Sequence, residues 1–64
     1  MRFVKYFSDY HGTVLVIHDY VFYAEYEEEI GEWCWQTFNY HPKRGLVMSF
    51  RSEQDASWFL ARWS

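Results

Sequence analysis

The residues of this chain with the types to do chemistry are few. His11, His18, His41 and Cys34 are the histidines and the one cysteine. Their spacing matches no zinc or haem pattern, which groups such donors in close pairs. Ser8, Asp9 and His11 carry the letters of a nucleophile, an orienting acid and a base. A working triad needs a poised nucleophile, a base held by a third group and an oxyanion site. Packed beside Gly12, these residues read as a turn. The carboxylates of Glu25, Glu28, Glu29 and Glu32 lack an enclosing cleft that would separate their pKa values for acid–base work. The expectation is a protein that is no enzyme, with no catalytic residue, no metal and no cofactor.

Length limits the scaffold in the same direction. Sixty-four residues make a single domain, 1–64, and such a chain buries only about 60% of its unfolded surface. One cysteine provides no intrachain disulfide, so dense packing or a partner must supply stability. Six Phe, six Tyr and four Trp are the resource, each able to bury roughly 150–250 Å². That is more than one small core can hide, so some aromatics are expected at the surface, where they favour self-association or a partner. Charge is uneven. Residues 1–32 carry two cations against seven carboxylates, net −5, and residues 33–64 carry four against two, net +2. The total of −3 argues against general nucleic-acid binding. The longest apolar run, Val14 to Ile17, is too short to span a membrane. Met1-Arg2-Phe3-Val4-Lys5 has no secretion-signal pattern, and a lone cysteine fits a reducing cytoplasm.

Local pattern places these residues on elements. Arg2 to Phe7 reads as a strand, Ser8-Asp9-Tyr10-His11-Gly12 as a turn, and Thr13 to about Phe22 as the return strand. The run Val14-Leu15-Val16-Ile17 predicts a central strand covered on both faces. From Ala24 to Phe38, Tyr26, Ile30, Trp33, Cys34 and Thr37 form one helical stripe, and Glu25, Glu28, Glu29, Glu32 and Gln36 the opposite one. Gly31 costs such a helix about 1 kcal/mol, and Trp35 falls on its polar side. Trp33 to Tyr40 also reads as an aromatic strand. The helix is favoured because both stripes agree over three turns. Asn39 to Gly45 is a loop by its Pro42 and Gly45, and Leu46 to Arg51 a third strand. Ser52 caps a last helix, from about Glu53 to Trp63, with Asp55 near its positive end. Ala56, Phe59, Leu60 and Trp63 recur at i, i+3, i+4 and i+7 as its buried face. The fold class is α+β, a small three-stranded sheet with two helices in the order β-β-α-β-α, the helices on one face.

The stretch Val47-Met48-Ser49-Phe50-Arg51-Ser52-Glu53-Gln54-Asp55-Ala56-Ser57-Trp58-Phe59-Leu60-Ala61-Arg62-Trp63-Ser64 resembles the C-terminal end of many short, uncharacterised proteins of tailed bacteriophages. There an aromatic strand runs into a Glu-x-Asp-Ala step and an apolar helix closing on Leu-x-Arg-Trp. Trp33-Cys34 to Phe38 is similar to a segment that often precedes that ending. The resemblance covers about half of the chain. It implies a viral accessory protein in the host cytoplasm and implies no activity.

Three surfaces remain as binding candidates. Trp58 stands opposite the buried face of the last helix with Arg62 one turn on, close enough to stack, and with Trp35 it makes the composition of an interface. The acidic face Glu25, Glu28, Glu29 and Glu32 has the sign of a DNA mimic, although a solvated helix face explains it as well. Lys43, Arg44 and Arg51 near Tyr40 and His41 make a small basic-aromatic patch, which reads more simply as a flanking loop. The expected function is a non-enzymatic protein–protein interaction module that docks on a host or viral protein or on its own copy. The alternative is an acidic DNA-mimic inhibitor of a host nucleic-acid-binding protein.

Overall fold

The computed structural model describes residues 2–8 and 12–64. Two strands, β1 (Phe3–Ser8) and β2 (Gly12–Ile17), pair antiparallel from Phe3↔Ile17 to Ser8↔Gly12. Gly12 enters β2 at φ 71°, a conformation that glycine adopts without strain. β2 pairs on its other side with β4 (Val47–Phe50), and β4 pairs with β3 (Lys43–Arg44). The sheet is therefore four-stranded and antiparallel, in the order β1-β2-β4-β3.

The expected three-stranded sheet and the order β-β-α-β-α are corrected by β3. Pro42 and Gly45 mark the segment as a loop. Gly45, at φ 65°, instead turns Lys43–Arg44 back onto β4 in a short hairpin. Two residues carry too little alternation for a strand to be legible.

The first helix also differs at its start. α1 runs Tyr20–Phe38, so Tyr20, Val21 and Phe22 are helical rather than the end of the return strand. The cause is Asp19. Its backbone is extended (φ −101°, ψ 91°), and its Oδ1 accepts from the Phe22 N–H at 3.0 Å, satisfying an otherwise unpaired amide of the first turn. A cap of this kind overrides the strand preference of Val21 and Phe22. Tyr26 (φ −108°, ψ 15°) kinks α1, and Asn39 ends it in the left-handed conformation, its N–H donating to the Trp35 carbonyl at 3.0 Å. Gly31 lies inside the helix as the stripe pattern requires. A Cβ there would stand 3.1 Å from His41 Nε2, so the glycine lets the loop after α1 pack against its side. α2 (Glu53–Trp63) starts and stops as expected, and Ser52 Oγ accepts from the Asp55 N–H at 3.1 Å.

Register sorts the side chains between two faces. In one row across the sheet, Lys5, Leu15, Met48 and Lys43 are paired in turn. Leu15 and Met48 are fully buried beneath the helices. The lysines at the row's ends lay their stems along the apolar surface and reach one helix each: Lys5 Nζ is 2.9 Å from Glu53 Oε1 of α2, and Lys43 Nζ is 3.5 Å from Glu27 Oε1 of α1. Both pairs are partly exposed and contribute little energy, but they mark the face that the helices cover. Phe3, Ile17 and Phe50 are buried on the same side.

Aromatic rings close the core. Phe59 of α2 lies 5.0 Å from Phe3, 5.4 Å from Phe50 and 6.0 Å from Trp33, ring centre to ring centre. Trp33 extends the cluster to Phe38 (5.3 Å) and Trp63 (6.4 Å). Most of these contacts are edge to face, the arrangement that ring quadrupoles favour. Arg2 seals the end, its guanidinium 3.9 Å from the Phe22 ring centre and donating to the Trp63 carbonyl at 3.0 Å.

Two buried tyrosines are satisfied to different degrees. The Tyr40 hydroxyl donates to Asp55 Oδ2 at 2.9 Å and accepts from the Arg51 N–H at 3.0 Å, tying the loop after α1 to β4 and α2. The buried Tyr23 hydroxyl has no hydrogen-bond partner among the described residues. Removing a bonded hydroxyl loses its bonds and strands its partners, whereas removing an unbonded one loses little. Tyr40→Phe is expected to lower the unfolding free energy by about 1–2 kcal/mol, and Tyr23→Phe to leave it unchanged or raise it slightly, as read by denaturant titration.

Candidate functional site

Both helices lie on one side of the sheet, and neither covers the opposite face. Burial along β2 alternates. Thr13, Leu15 and Ile17 are buried, while Val14 and Val16 are only half-buried. The apolar run is therefore covered on one face and not on both. Two cross-strand rows make the open face. One is Val4, Val16, Val47 and Arg44, and the other Tyr6, Val14 and Ser49. Side chains in such rows stand about 5 Å apart and form one continuous surface. Valine dominates because a β-branched residue suits a pleated surface whether or not anything covers it.

The face is an open groove of about 910 Å³. Val14, Val16 and Val47 form its floor, Tyr6 stands on one flank, and Arg44, Arg51 and Tyr40 stand on the other. Tyr6 is 56% exposed. Arg51 lies over the Tyr40 ring, 4.3 Å from its centre. Arg44 Nη1 donates to the carbonyls of His41 (2.9 Å) and Lys43 (2.8 Å). Among the described residues no carboxylate lines the groove. An apolar floor with an aromatic flank and a cationic flank suits contact with another surface.

The basic-aromatic patch is thus divided. Lys43 turns to the helix side and pairs with Glu27, while Arg44 and Arg51 border the open face. His41 is a packing residue. Its Nδ1 accepts from the Lys43 N–H at 3.2 Å, and its ring abuts Gly31. Burial, and then the nearby charges of Lys43 and Arg44, hold its pKa below the ordinary histidine value. Cys34 is fully buried, and burial pushes its thiol up to about 12, so it is neutral and no nucleophile. His18 is exposed just after β2. Among the described residues no group of three His, Cys, Asp or Glu could hold a metal ion. The Ser8-Asp9-His11 run lies, for its side chains, outside the described residues.

Trp58 is 50% exposed and Trp35 55% exposed. Arg62, expected to stack on Trp58, instead lies over Trp63, 4.1 Å from its ring centre, on the edge of a cleft of about 200 Å³ that also meets Glu29 and Glu32. Trp63 offers the nearer ring because it is fixed in the core. Trp33 faces α2 through Trp63. Trp35, two residues on and so about 200° round the helix, points to the other flank. Glu25, Glu28, Glu29 and Glu32 are all exposed on α1, and Gln36 donates to Glu32 at 3.3 Å. The open sheet face was missed because Val14 and Val16 are as apolar as the buried residues beside them. The one available signal was Tyr6 and Ser49, polar-capable groups in phase with the valines.

No family model matches the chain, and no curated protein or solved structure matches it.

The lowered His41 pKa has a consequence for stability. The unfolded chain takes up this proton at about pH 6.5, before the folded protein does, so stability present above that pH is lost as pH falls through it. The wild-type melting temperature is expected to drop between about pH 7.5 and about pH 5.5, and the drop to be shallower in His41→Gln, as followed by circular dichroism.

Proposed function

We propose that this protein is a non-enzymatic interaction module that docks protein partners on the uncovered face of its sheet. The observation that supports the reading is the groove itself: an apolar floor of three valines flanked by Tyr6 on one side and by two arginines on the other, on a face that neither helix covers. Exposed tyrosine and arginine around an apolar centre are the composition of an interface. In this reading the chain is a small accessory protein of the kind made by tailed bacteriophages and works in the host cytoplasm. The resemblance of residues 47–64 supports that origin. Among the described residues no helix is long and apolar enough to cross a membrane.

The acidic face of α1 supports a second reading. Glu25, Glu28, Glu29 and Glu32 are exposed, and the two ion pairs among the described residues use other carboxylates. Such a face can act as a decoy for a basic groove, in which case binding weakens steeply with salt.

A photo-crosslinking residue placed in turn at Val16, Val47, Glu28 and Trp58 in expressing bacteria separates these surfaces. Discrete adducts are expected from positions 16 and 47 and none from 28 or 58. Adducts from 28 alone carry the decoy reading instead. Adducts from 58 alone, or no adduct from 16 and 47, overturn the sheet-face reading.

A further inference from the structure

We propose that the occupant of the open sheet face is the same face of a second copy, in a two-fold, face-to-face dimer of eight strands. The inference rests on the reading of that face as a docking surface. Its support is the order of chemistry across the strands. Tyr6 stands on the edge strand β1, the valines on β2 and β4, and Arg44 on the other edge strand β3, with Arg51 just beyond β4.

A two-fold axis parallel to the strands, passing between β2 and β4, lays β1 of each copy over β3 of the other. Valine then meets valine in the middle. Tyr6 of each copy meets the flank that carries Arg44 and Arg51 of the other, an aromatic ring against guanidinium groups. The two cationic flanks lie on opposite sides of the interface. Edge strands three spacings apart are separated by about 14 Å, more than the Debye length of about 8 Å at physiological salt. An axis across the strands would instead put β3 over β3 and set arginine against arginine. The carboxylates of Glu25, Glu28, Glu29 and Glu32 are on α1, behind the opposite face, and do not enter the contact.

Area sets the strength. Strands of six, six, four and two residues, at about 3.4 Å per residue and about 4.8 Å spacing, make a face of about 290 Å² per copy. Two such faces bury on the order of 600 Å² before side-chain relief is added, below the roughly 1,000 Å² of a stable specific interface. The dimer is therefore weak and reversible, formed at high protein concentration. Aligned packing of two twisted sheets about 10 Å apart accommodates the side chains of both faces.

Sedimentation equilibrium over a concentration series tests this. The wild-type mass is expected to rise with concentration from 8.0 kDa toward twice that value. Tyr6→Arg sets a cation against the cationic flank and is expected to weaken association roughly tenfold or more. Tyr6→Glu sets a carboxylate there and is expected to match or exceed the wild type. Adding Arg44→Glu to Tyr6→Arg is expected to restore the dimer. Far-ultraviolet circular dichroism establishes that each variant is folded, and the double variant carries the test if a single one is not. A wild type that stays monomeric, or two Tyr6 variants weakened equally, overturns the proposal. A monomer that still crosslinks a different protein through Val16 overturns self-association alone, while a monomer with no adduct at Val16 overturns the docking reading as well.

Discussion

The contact on which the rest of this structure depends is the meeting of four rings at Phe59. Phe3 comes from β1, Phe50 from β4 and Trp33 from α1, and each lies within 5.0–6.0 Å of the Phe59 ring centre. One side chain of α2 therefore touches an edge strand, an inner strand and the other helix. Burial of a single phenylalanine contributes about 1.5–3 kcal/mol, a large part of what a domain of this size has to spare. Concentrating the aromatics at one junction lets 64 residues hold a core without a disulfide. It also fixes both helices on the same side of the sheet. The open face is the geometric consequence, because both helices are drawn to one junction on the same side of the sheet.

What was legible follows from how much of each element its own residues determine. α2 was legible throughout, since Ser52, Asp55 and the recurrence of Ala56, Phe59, Leu60 and Trp63 all point to one answer. The body of α1 was legible from its two stripes, and its beginning was not. Val21 and Phe22 have strand-forming side chains, and only the bond from Asp19 to the Phe22 amide decides for helix. β3 is two residues long and exists because β4 offers it a partner, which is a tertiary fact. Gly31 read as a defect in a helix and is a place where His41 comes close.

The site was the least legible part, for a physical reason. Val14 and Val16 alternate with Leu15 and Ile17, and all four are apolar. Alternation reports an open face only when the residues on it are polar. A face kept apolar for contact erases its own signature and reads as a strand buried on both sides. Trp58 drew attention because an exposed tryptophan is conspicuous, yet Arg62 rests on Trp63. The electrostatics are ordered in the same way as the layers. Carboxylates line the exposed side of α1, and two arginines border the groove. A net charge of −3 averages these two surfaces and describes neither.

The central claim is that this one-sided architecture leaves a sheet face whose valines meet those of a second copy. Methyl-labelled valine spectra recorded over a dilution series test it most directly, because they report each side chain separately. Val14, Val16 and Val47 line the groove, whereas Val21 is 80% exposed at the start of α1 and serves as the control. The account predicts concentration-dependent methyl shifts at Val14, Val16 and Val47 and a constant position for Val21. Invariant groove methyls, or shifts confined to Val21, would contradict it.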